Sequence, residues 1–129
     1  MNLLAKEYFS LQEISNIWAV SRDDLLYYGE NNILEISVRP AAIAAGIERV
    51  CYNTEFANYL AEGKSQCFSP QPLLPTDIYR IMKAGTDAVP VYHTKYRFHE
   101  KISDIIENKG ILLSYTDLVV TRAEKHCFE

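Results

Sequence analysis

An α+β fold is what this sequence predicts, with two short helices and a strand over 1–40 leading into a mixed helix and strand remainder. Three observations predict it. Side-chain caps at Ser10 and Ser21 each precede apolar residues at helical spacing. The segments 33–38 and 89–98 alternate apolar and polar side chains, which is the period of a strand. The length, 129 residues, suits one compact domain.

Ser10-Leu-Gln-Glu13 is a capping box, in which the serine oxygen accepts from the N3 amide and the glutamate reaches back to the cap amide. Leu11, Ile14, Ile17 and Trp18 follow on one stripe, predicting a helix over 10–18. Ala19-Val20 breaks the period. Ser21 caps a second helix with Asp23 and Asp24 in its first turn, where carboxylates suit the positive end of the helix dipole. This helix carries Leu25, Leu26, Tyr27 and Tyr28 and is expected to stop near Gly29. Leu11, Ile14, Trp18, Val20 and Leu25 are the expected contacts between the two helices. Ile33 to Val38 reads as a strand closed by Arg39-Pro40.

Residues 40–52 are alanine-rich without a clean period, and a second strand is expected near Ile47–Tyr52. Thr54 to Gly63 reads as a short helix. The proline-rich loop at 65–75 is the best linker within 41–129, which is read as the remainder of the same domain. Thr76 is the expected cap of a helix ending at Gly85, with Ile78, Ile81 and Met82 on one face. A strand is expected over Val89–Phe98, a helix around Ile102, Ile105 and Ile106, and a strand over Ile111–Tyr115. Thr121-Arg-Ala-Glu124 is a second capping box, and the helix that it opens runs to the last residue, as in a piece of a longer chain.

Composition narrows the function classes. With 48% apolar and 23% charged residues the chain is of ordinary globular type. No apolar run approaches the roughly 18 residues of a membrane-spanning helix, and the first residues, Met-Asn-Leu-Leu-Ala-Lys-Glu, contain no signal-peptide core. Cys51, Cys67 and Cys127 are odd in number and form no C-x-x-C, so reduced thiols in a cytoplasmic protein are expected. A net charge of −4 weighs against broad nucleic-acid binding, which depends on neutralising phosphates.

Two helices, a tight Ala-Val-Ser turn and a following strand are the ingredients of a winged helix-turn-helix. Tyr8, Leu11, Glu13, Ile14, Trp18, Val20, Ser21, Leu25, Tyr27, Tyr28 and Leu34 resemble the N-terminal DNA-binding unit of MerR-type regulators and phage excisionases. The resemblance covers about 8–39. It implies a DNA-binding protein of the small regulator or excisionase-like type, with double-stranded DNA as partner. In such units the second helix presents its N-terminal residues to the major groove. Ser21 there can meet a phosphate at a helix N-terminus, and Arg22 can fork onto guanine or phosphate. The Tyr27 hydroxyl can reach the backbone, and Arg39 can make a phosphate or minor-groove contact from the end of the wing strand. Three positions depart from the family: Leu26 replaces its arginine, Ser15 its alanine and Asn32 its glycine. Asn tolerates the left-handed turn that glycine provides.

A rival reading follows from charge. Residues 1–40 hold Lys6, Arg22 and Arg39 against Glu7, Glu13, Asp23, Asp24, Glu30 and Glu35, which suits a protein-interaction module that keeps the scaffold and has lost DNA binding. Another protein or a second copy of the chain is then the partner. Arg22 is equally a surface partner for an acidic neighbour, and Trp18 with Tyr27-Tyr28 reads as core and hinge packing. A secondary basic strand is expected at Lys95 and Arg97, where cations alternate with Tyr92, Tyr96 and Phe98. His93 and His99 would stand roughly 20 Å apart on one strand, too far to share a metal. Neither a catalytic triad, nor a glycine-rich phosphate loop, nor H-E-x-x-H occurs. No enzyme, metal, cofactor or membrane partner is expected.

Overall fold

A computed structural model describes residues 7–43, 45, 70–94, 107 and 110–129. These residues form an α+β structure. Strand β1 (Tyr8–Ser10) leads into α1 (Leu11–Trp18) and α2 (Arg22–Glu30). Strands β2 (Ser37–Val38) and β3 (Gln71–Pro72) precede α3 (Pro75–Ala84). Strands β4 (Val89–Val91) and β5 (Ile111–Leu113), a 3₁₀ turn (Tyr115–Asp117), β6 (Leu118–Thr121) and α4 (Arg122–Phe128) follow.

The main sheet is antiparallel with order β1-β6-β2-β3, and β4 pairs with β5 in a second sheet. Its inner strands are β2 and β6, the latter from the far end of the sequence. Phe9 lies opposite Val120, and Ser37 opposite Val119, so β6 ties both ends of the 8–38 segment. Leu118, Val119 and Val120 are all buried, as expected of a strand covered on both faces. Leu11 and Ile14 of α1, Leu25 and Leu26 of α2, and Ile78 and Ile81 of α3 fill the core against Leu34, Ile36 and Val38.

The α1–α2 corner forms as its residues dictate. Both halves of the Ser10–Glu13 capping box are made, at 3.1 Å each. Ala19 turns the chain in the left-handed region (φ 55°), and the Ser15 hydroxyl donates to the Val20 carbonyl across the turn. Ser15 thus holds the corner as well as fitting it. Asn32 also lies in the left-handed region (φ 58°), the conformation its type tolerates.

Several expectations need correction. Helix α2 stops one residue past Gly29, close to the expected end, but this glycine is not its cap. It is buried inside the helix, where an added Cβ would stand 2.6 Å from Ile36 Cδ1, and the helix continues to Glu30. The 33–38 strand shortens to Ser37–Val38, because Ile33 is 56% exposed and only the last two residues find partners on β3 and β6. Thr76 is not a cap. Leu74 stands at that position and Pro75 opens the helix, its missing N–H matching a donor that would be unsatisfied there. The 89–98 strand ends at Val91, and 111–115 breaks at Leu113 because Ser114 and Asp117 cap the 3₁₀ turn. Trp18 is only partly buried and packs against the edge of the core, where it stacks on Phe128 at 4.8 Å. Of the second capping box, Thr121 accepts from the Glu124 amide, while the Glu124 carboxylate accepts from the distant Glu35 amide at 3.0 Å. The expected strand at 47–52 and helix at 54–63 lie outside the described residues, as does most of the 102–109 helix.

Candidate functional site

Each expected contact residue has a definite place. Ser21 caps α2, its Oγ accepting from the Asp24 amide at 3.1 Å, so that oxygen already serves the helix. Arg22, the first helical residue, does not project from the helix start. Its guanidinium lies over the Tyr115 ring, 4.0 Å from the centroid, with Nε 3.8 Å from the Asp23 carboxylate. Arg39 does not extend from the tip of a wing either. Its amide donates to the Asp117 carbonyl at 3.0 Å, and Nη2 stands 3.5 Å from the Asp117 carboxylate. Its Nε is buried without a hydrogen-bond partner.

Ser21, Arg22 and Arg39 are therefore gathered at one end of α2 around the 115–117 turn. Tyr27 is separate, more than a turn further along the helix, 53% exposed and edge-on to Tyr28 at 6.4 Å. Lys95 and Arg97 lie outside the described residues. From the basic stretch preceding them, Arg80 pairs with Asp77 at 3.1 Å, and Lys83 sits 5.1 Å from the Tyr79 ring of its own helix.

The electrostatics of α2 follow from this arrangement. Asp23 and Asp24 are exposed on the first turn, one helical turn before Tyr27 and Tyr28. The single cation on this helix contacts both the Tyr115 ring and the Asp23 carboxylate. Both arginines of residues 7–43 have a carboxylate within 4 Å. The exposed side of α2 is thus acidic and aromatic.

Two groups were not singled out from the sequence. Tyr115 and Asp117 receive the arginines, and Ser114 with Asp117 at capping-box spacing is the signal that marks their turn. The end of α4 is the other. Phe128 stacks on Trp18 and lies 5.9 Å from Tyr28, while the Glu129 carboxylate accepts from Trp18 Nε1 at 2.9 Å and from Lys125 Nζ at 2.9 Å. These bonds, that from Trp18 first, hold the Glu129 carboxyl below its ordinary range.

A cleft of about 250 Å³ lies between the end of α2 and the start of α3, lined mainly by apolar side chains such as Leu34, Ile36, Leu73 and Ile78. Among the described residues, no cluster of His, Cys, Asp or Glu could hold a metal ion, and no helix is long and apolar enough to cross a membrane. Compared with known protein families, curated proteins and solved structures, the chain matches none.

Proposed function

We propose that residues 8–39 are a winged helix-turn-helix scaffold whose α2 face serves as a protein-interaction surface. One observation carries this reading: the start of α2 presents two exposed carboxylates, while Arg22 is engaged by the Tyr115 ring and the Asp23 carboxylate and Arg39 by Asp117. In a DNA-reading unit this helix start enters the major groove. Asp23 and Asp24 there face two rows of phosphates, and repulsion replaces the counterion release that drives such binding. An exposed aromatic side chain beside them, Tyr27, has the amphipathic character common at protein interfaces.

The second reading is DNA binding of the small regulator or excisionase-like type. What favours it is the gathering of Ser21, Arg22 and Arg39 at one end of α2. The two arginine side chains are 39% and 43% exposed, so exchange of Asp23 and Asp117 for phosphate oxygens would make them backbone contacts.

Retention of a labelled random duplex at low salt by the native chain and three variants separates the two. The interaction reading expects no retention by native, Arg22→Ala or Arg39→Ala protein, and a gain only for Asp23→Lys. Retention by the native chain that either arginine substitution weakens by about 1–3 kcal/mol supports DNA instead.

A further inference from the structure

We infer that the exposed face of α2, together with the end of α4, docks a basic amphipathic segment of a partner protein. The inference deepens the interaction reading and rests on it. Four rings form a continuous ribbon: Trp18 on Phe128 at 4.8 Å, Phe128 to Tyr28 at 5.9 Å, and Tyr28 to Tyr27 at 6.4 Å. Tyr27 and Phe128 keep 53% and 36% of their surface open. Large aromatics are the side chains that anchor interfaces, because they offer much area at little entropic cost.

The rim of this ribbon selects the partner. Asp23 and Asp24 stand one turn before Tyr27 and Tyr28 on the same helix. Two neighbouring cations are engaged, Arg22 by the Tyr115 ring and, at 3.8 Å, by the Asp23 carboxylate, and Lys125 by the Glu129 carboxylate. An apolar ribbon with a negative rim complements lysine or arginine side chains, whose aliphatic stems lie along rings while the charged heads reach carboxylates. The same heads can sit over ring faces. A second copy is the wrong occupant, because two-fold pairing sets each patch against its own charges. Charge complementarity therefore commits the face to a basic segment on a different protein.

The test uses a synthetic leucine/lysine amphipathic peptide, with its leucine/glutamate counterpart, titrated against the full chain and read by Trp18 fluorescence. The expected result is binding of the lysine peptide alone. Asp23→Lys weakens it about tenfold or more, equivalent to roughly 1.4 kcal/mol, and Tyr27→Ala weakens it with no change of charge. Asp87→Lys makes the same change in net charge in the exposed turn after α3 and leaves the affinity unchanged. Equal losses for Asp87→Lys and Asp23→Lys reduce the effect to net charge and overturn the proposal. Equal binding of both peptides overturns it, as does a homodimer in sedimentation that Asp23→Lys abolishes. Duplex DNA is titrated in parallel. DNA binding by the native chain that Arg22→Ala removes defeats the interaction reading itself, whereas binding to neither probe defeats only the assigned partner class.

Discussion

Placing an arginine at position 26 should unfold this protein. Leu26 is 2% exposed and packed in the central core with Leu25 and Ile78. Truncation to alanine removes most of a fully buried side chain and leaves a cavity, at a cost of about 2–5 kcal/mol. Leu26→Arg loses the same burial and adds a guanidinium without a designed partner. An unpaired buried charge costs several kcal/mol more, reduced by whatever snorkelling the long stem allows. The sum approaches the whole stability of a small domain, about 5–15 kcal/mol. Urea denaturation followed by Trp18, the sole tryptophan, measures it directly. A Leu26→Arg protein within about 1 kcal/mol of native, or one that gains affinity for duplex DNA, would refute the reasoning.

Three further predictions concern the corner and the helix ends. Ala19→Gly should raise stability by up to about 1 kcal/mol, because φ 55° strains any residue with a Cβ; a lower melting temperature contradicts this. Gly29→Ala should cost about 1–3 kcal/mol, since its Cβ meets Ile36 at 2.6 Å and Ile78 at 3.1 Å, and a variant of native stability shows that the α2–α3 contact yields easily. Glu129 has its carboxyl pKa lowered by Trp18 and Lys125, so its contribution is present above the ordinary glutamate value and lost as pH falls through the depressed one. Trp18 emission should shift over that acid range and stay flat in Glu129→Gln; the same shift in both proteins contradicts the assignment.

Local patterns were legible in the sequence where one segment decides its own structure. The Ser10 box, the Ser21 cap, the left-handed Asn32 and the Ile78–Ile81 face of α3 all depend on neighbours within a turn or so. What required the fold was pairing across long separations. The buried run Leu118-Val119-Val120 becomes an inner strand only because β1 and β2 flank it. The same pairing confines β2 to two residues. Gly29 marks the helix end to within a residue, but its missing side chain is a packing requirement set by Ile36 and Ile78. The Ser21 cap already places Ser21 and Arg22 at the start of α2, but the partners of the two arginines were hidden. Tyr115 and Asp117 lie far along the chain from Arg22 and Arg39, and no short-range pattern links them. The Glu124 bond to Glu35 and the Phe128 stack on Trp18 are illegible for the same reason.

The salt dependence of native chain binding to random duplex DNA tests the central claim most directly. A protein that uses α2 for DNA must neutralise phosphates, so its log affinity falls linearly with log salt at a slope of about −0.9 per phosphate contacted. An acidic docking face predicts no measurable affinity at low salt and hence no slope. Affinity that falls steeply between low and physiological salt, with a slope that shrinks by about one in Arg22→Ala, would contradict it.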